Sequence, residues 1–226
     1  MKKDYTEVLM ILDESGSMGT IKEETIVTVN NFIAGQKKIP GEMKMTLITF
    51  NSENTVVWES KDIKDVLELK KTDYCPDKYT ALYDAVYTGV ADLGEKLSKM
   101  KEENRPEKVI VVIITDGEEN ASTRFNLGAV LDAIKTQQEV YNWQFLFLGA
   151  NIDAHKVGTS MGVSSAYCCN FKSSSSGVSN AGSYANHVVG NARKGVTYRT
   201  YENADDYAND QKNKNPIDPT SKGGSK

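Results

Sequence analysis

The feature that most restricts this chain is a set of short runs in which every residue is apolar. Val8-Leu9-Met10-Ile11-Leu12, the Val-Ile-Val-Val-Ile-Ile run at 109–114 and Phe145-Leu146-Phe147-Leu148 each give way within a few residues to Asp or Gly. A strand with one face in water alternates apolar and polar residues, whereas a strand covered on both faces is apolar throughout. Between these runs lie longer stretches with helical spacing. Residues 21–36 carry Ile26, Val29, Phe32 and Ile33, residues 81–100 carry Leu82, Ala85, Val86, Val90, Leu93 and Leu97, and a third such stretch covers 127–140. Parallel strands need long, usually helical crossovers. The alternation therefore predicts a doubly wound α/β fold, a mostly parallel central sheet with helices on both faces.

The remaining segments refine that picture. Residues 43–50 and 54–58 flank an Asn51-Ser52-Glu53 turn and read as a hairpin, which makes one edge strand antiparallel. The run at 109–114 is the most apolar of the chain and belongs near the sheet centre. A short helix over 153–160 and a strand over 166–171 complete the alternation. Residues 172–183, with Ser173 to Ser176 unbroken, read as a mobile Ser/Gly loop before a final helix over 184–193. The domain is thus expected to span 1–201, followed by a polar, disordered tail over 202–226.

Several functional classes are disfavoured. A net charge of −4 and the lack of a Lys/Arg block give no pull toward nucleic acid or an anionic membrane. The first residues lack the apolar stretch of a secretory signal, and no run is long enough to cross a bilayer, so the cytoplasm is the expected setting. Cys75, Cys168 and Cys169 lack C-x-x-C spacing and are expected to be reduced thiols. No P-loop run is present, and Ser15 stands where a haloacid dehalogenase-type phosphatase needs its second Asp. The only histidines, His155 and His187, come late and lack a Gly-x-Ser-x-Gly elbow, so they read as surface or packing residues.

Ligands of open α/β sheets bind at the carboxyl ends of the strands. Two such positions stand out. Asp13-Glu14-Ser15-Gly16-Ser17 closes the first strand with three oxygen-bearing side chains at alternate positions, and Thr115-Asp116-Gly117 follows the central strand. Together with Thr80 in Thr80-Ala81-Leu82-Tyr83-Asp84-Ala85, their order and spacing resemble the metal-ion-dependent adhesion site of the von Willebrand factor A family. The likeness covers about residues 5–171 and is greatest to single-domain bacterial and phage members, which adds the virion as a setting for a phage-encoded chain.

The resemblance implies that Ser15 and Ser17 ligate a divalent cation directly, that Thr80 joins them in one state, and that Asp13 and Asp116 act largely through water. It also implies an open coordination position for a partner's carboxylate. The donor chemistry agrees: Mg²⁺ takes six hard oxygens and accepts hydroxyls beside one or two carboxylates, with Mn²⁺ or Ca²⁺ as alternatives. Two carboxylates roughly neutralise the ion, so a further anionic oxygen can still enter. Lys78-Tyr79 stands where a Gly-rich stretch commonly precedes the Thr. The expected function is metal-dependent binding of a protein that presents an Asp or Glu, without catalysis. The alternatives are a structural component of a phage or other assembly, or a metal-assisted hydrolase.

Overall fold

The computed structural model describes residues 1–214. Six strands form one sheet in the order β3-β2-β1-β4-β5-β6: β1 (Lys2–Asp13), β2 (Glu42–Phe50), β3 (Asn54–Asp62), β4 (Pro106–Thr115), β5 (Gln144–Ala150) and β6 (Cys168–Phe171). β1 pairs in parallel with both β2 and β4, and β4–β5 and β5–β6 are parallel as well. Only the β2–β3 pairing is antiparallel, as the short turn between them requires. The apolar runs at 8–12 and 109–114 occupy the two central strands.

Every apolar run serves both faces. Val8, Met10, Leu12, Ile110, Val112 and Ile114 point into one core, which α1 (Lys22–Lys37) and α5 (Ser175–Lys194) cover. Leu9, Ile11, Val109, Val111 and Ile113 point into the other, under α2 (Leu82–Ser98), α3 (Leu127–Tyr141) and α4 (Ala154–Ser160). Among the described residues no helix is long and apolar enough to cross a membrane. All three cysteines are free, and burial pushes the thiols of Cys168 and Cys169 up to about 12.

Two expectations are corrected at the carboxyl end. Residues 172–183 do not form a mobile loop: α5 begins at Ser175, and the Ser174 hydroxyl caps it by accepting the Gly177 N–H at 3.2 Å. The small residues serve packing instead. Val178, Ala181, Ala185, Val188 and Val189 are buried in the core beneath α5, and a Cβ on Gly182 would lie 2.1 Å from Thr28 Cγ2 of α1. Gly182→Ala gains about 1 kcal/mol of helix propensity but incurs overpacking of about 1–3 kcal/mol. A lower thermal midpoint is therefore expected, and a higher one would show that the helices have room to spare.

The supposed tail is also partly structured. Asn203 bridges to Asn170 of β6, and a further helix, α6 (Ala204–Lys214), packs on α5. Tyr207 lies 5.5 Å from Tyr184 and 5.0 Å from His187, ring centre to ring centre, and Asp205 accepts Asn180 Nδ2 at 2.8 Å. The polar sequence obscures this because the anchor is a few aromatic rings, with no apolar stripe. The rest of that expectation, residues 215–226, lies outside the described residues.

Candidate metal centre

Three loops carry these residues, the first after β1 (13–17), the second before α2 (78–80) and the third after β4 (115–120), and the order of the sheet places the first and third side by side. From β1 the chain moves outward to β2 and β3, then returns to β4 on the other side of β1, so the winding reverses between β1 and β4. Crevices at such reversals are the usual ligand sites of open α/β sheets. Leu12 is in register with Ile114, which sets Asp13 and Thr115 next to each other where the two strands end.

Asp13 is fully buried, and both of its oxygens are held. Oδ1 accepts the Ser15 N–H at 2.7 Å and Oδ2 accepts the Thr115 hydroxyl at 2.6 Å. The Ser15 and Ser17 hydroxyls are 3.1 Å apart, and Ser17 donates to Asp116 Oδ1 at 2.6 Å. Asp116 Oδ2 is buried and has no hydrogen-bond partner. A Cβ on Gly117 would sit 3.3 Å from Thr80 Oγ1 and 3.8 Å from Ser17 Oγ, so the third loop's main chain passes close to both hydroxyls. The structure thus gathers Asp13, Ser15, Ser17, Thr80 and Asp116 at one end of the sheet.

Burial raises both carboxyl groups above the usual Asp range. For Asp13 desolvation is the largest cause, opposed by the hydrogen bonds from Thr115 and Ser15. For Asp116 desolvation again leads, the Ser17 hydrogen bond opposes it, and the charge of Asp13 adds to it. A buried carboxylate oxygen without a donor is costly, and a cation removes that cost. Two carboxylates and three hydroxyls form a hard-oxygen set that suits Mg²⁺ or a similar ion. Among the described residues no group of three or more His, Cys, Asp or Glu is placed to hold a metal ion, and the set here is instead rich in hydroxyls.

The second loop compensates for its lack of glycine. Lys78 itself adopts φ +66°, a left-handed conformation usually left to glycine, and its carbonyl accepts the Gly16 N–H at 3.2 Å. The first and second loops are thereby bonded to each other. Tyr74, fully buried, donates its hydroxyl to the Asp13 carbonyl at 2.6 Å and supports the first loop from beneath.

The third loop is fastened to the start of α2. Glu119 accepts the N–H groups of Tyr83, Ala121 and Ser122 and so organises the loop. Asp84 accepts from Thr123, Arg124 and Phe125, and the Phe125 ring stacks on Tyr87 at 3.8 Å. Sequence reasoning missed the supporting roles of Tyr74, Thr115 and Asp84, because each acts through a contact to a residue remote in the chain. Only Thr115, next to Asp116 at a strand end, carried a local signal. His155 and His187 are half-buried, and His187 packs among Tyr184, Tyr198 and Tyr207.

A family model described as von Willebrand factor type A domain matches residues 7–182. No curated protein matches the chain. Solved structures with a similar fold include proximal thread matrix protein 1 from the mussel byssus with a zinc-occupied MIDAS motif, at 14% identity and a TM-score of 0.57, covering 82% of this chain and 46% of that one. The vWF domain of the type V pili tip protein Mfa5 from Porphyromonas gingivalis is 12% identical, with a TM-score of 0.59 and coverage of 87% and 97%. The pilus adhesin SpaC from Lactobacillus rhamnosus GG is 14% identical, with a TM-score of 0.61 and coverage of 85% and 30%. The chain spans less than half the length of the mussel protein, and at these identities the likeness is one of fold.

Proposed function

The chain belongs to the von Willebrand factor type A family, and on that premise we propose that it is a metal-dependent protein-binding domain. Asp13, Ser15, Ser17, Thr80 and Asp116 would hold one divalent cation, Mg²⁺ by preference, and the domain would recruit a partner through an Asp or Glu side chain of that partner. The observation that carries this reading is the buried, unpartnered Asp116 Oδ2 beside the Ser15–Ser17 hydroxyl pair. Bound there, the cation would supply a positive centre that accepts one more carboxylate oxygen. The zinc-occupied motif of the mussel protein, a structure of the same fold, is consistent with it.

The chain's own residues divide the work. Asp13 and Asp116 supply the negative charge, while Ser15, Ser17 and Thr80 add neutral oxygens, so the site stays attractive to an incoming anion. Thr115 and Tyr74 fix Asp13 from its side chain and its carbonyl.

Calorimetry with Mg²⁺ and Mn²⁺ tests the metal half of the proposal. One ion per chain and a thermal shift are expected, with Ser17→Ala weakening the affinity about tenfold; no heat and no shift would reduce the motif to a turn. A partner cross-linked to the domain should lose more than tenfold in affinity in chelator, since losing one buried charged contact costs about 2–5 kcal/mol. Unchanged binding in chelator would place the interaction on another face of the sheet.

A further inference from the structure

Thr80 is the one oxygen of the set that comes from a loop between β3 and α2, outside the two strand ends, and its main-chain N–H is held by a side chain of another loop. The Thr80 N–H donates to Asn120 Oδ1 at 2.9 Å, and the Thr80 carbonyl accepts the Asn120 N–H at 3.0 Å. Both main-chain polar groups of Thr80 are thus bonded to one residue, four positions beyond Asp116. The flanking bonds reach elsewhere: Ala81 N–H donates to the Asn51 carbonyl, and Tyr79 N–H to Ser52 Oγ at 3.4 Å. Thr80 is buried whereas Tyr79, its neighbour, is 69% exposed, so packing fixes the loop poorly on one side of the ligand position.

We infer that Asn120 is the positioning residue that holds Thr80 at the metal centre, coupling the second loop to the third. The inference rests on the metal-binding reading above. Asn120 touches no proposed ligand oxygen; it acts through the backbone of Thr80, and Glu119 and Asp84 hold its own loop on α2. Outer residues of this kind typically change metal affinity by about 10–100-fold when removed, because they set the orientation of a ligand. Asn120 is itself exposed, so truncating it removes little packing.

The test is a double-mutant cycle read by Mg²⁺ calorimetry on the full chain, with wild type, Asn120→Ala, Thr80→Ala and the double variant. Asn120→Ala should weaken Mg²⁺ about tenfold, and the double variant should bind no more weakly than Thr80→Ala alone, since the clamp has nothing left to place. Asn120→Asp keeps the accepting oxygen and should bind nearly as well as wild type; Asn120→Gln displaces that oxygen and should resemble Asn120→Ala. Hydrogen exchange in chelator gives a second readout: the Thr80 amide should lose protection in Asn120→Ala and keep it in Asn120→Asp. Wild-type affinity in Asn120→Ala, or losses that simply add in the double variant, would overturn the inference while leaving the metal site standing. Absence of Mg²⁺ binding by the wild type would overturn both.

Discussion

Asp116→Asn is expected to raise the thermal midpoint of the metal-free protein while abolishing its response to Mg²⁺. The two effects share one cause. Desolvation raises the Asp116 carboxyl, the neighbouring charge of Asp13 raises it further, and Oδ2 has no donor. An amide in its place keeps the Ser17 hydrogen bond at the position of Oδ1 and buries no charge. Without metal, the gain should amount to a few degrees, at about 2–4 °C per kcal/mol in a domain of this size. With metal, one of two counter-charges is gone. A charge pair about 4 Å apart is worth about 4 kcal/mol at an effective dielectric of 20, so Mg²⁺ affinity should fall on the order of a hundredfold or more.

The pH dependence follows with a definite sign. A group whose folded pKa is raised contributes stability that is fully present below its unfolded value, near 3.9 for Asp, and lost as pH rises through the folded value. Both Asp13 and Asp116 are of this kind. In chelator, their share of the stability should therefore decline from acidic pH toward neutrality, and Asp116→Asn should flatten that decline. Saturating Mg²⁺ should reverse it, because binding requires the ionised carboxylates. Melting curves across pH, with and without Mg²⁺, measure all of this. A metal-free Asp116→Asn that melts below wild type would mean that the carboxylate is stabilising by itself and that the site is structural.

The parts of this molecule that were legible in its sequence are those in which a residue's neighbours in the chain determine its environment. Strands buried on both faces must be apolar throughout, so Val8 to Leu12 and the run at 109–114 declare their place directly. Asp13, Ser15 and Ser17 share one turn, and Asp116 directly follows a strand end, so local spacing discloses them. Supporting contacts are different. Tyr74 meets the carbonyl of Asp13 from 61 positions away, and Asn120 meets Thr80 from 40. No periodicity records such pairs. The carboxyl end was misread for a related reason: Ser and Gly in 173–183 look like loop residues until Thr28 of α1 is seen to occupy the space that a side chain on Gly182 would need.

A chain ended at Thr200 is expected to melt several degrees below the 226-residue chain, although it retains every strand and every proposed metal ligand. The truncation removes Tyr201, which is buried and donates its N–H to the Tyr184 hydroxyl at 2.9 Å, together with Ala204 and the ring of Tyr207. It also uncovers the outer edge of β6, where Asn170 N–H donates to the Glu202 carbonyl at 2.8 Å. Burying an aromatic side chain stabilises by about 1.5–3 kcal/mol, and the aromatic pairs add about 0.5–1.5 kcal/mol each. Ordering the 201–214 segment opposes this with conformational entropy, so only the surplus of these contacts over that cost is read as a lower midpoint on truncation. Because the lost contacts lie on the α5 side, against β6, Mg²⁺ affinity measured well below the melting point should be unchanged. Tyr207→Ala in the full chain should reproduce a part of the loss. A truncated chain with the midpoint of the 226-residue chain would show that α6 adds nothing to the fold and that the domain ends near residue 200 after all.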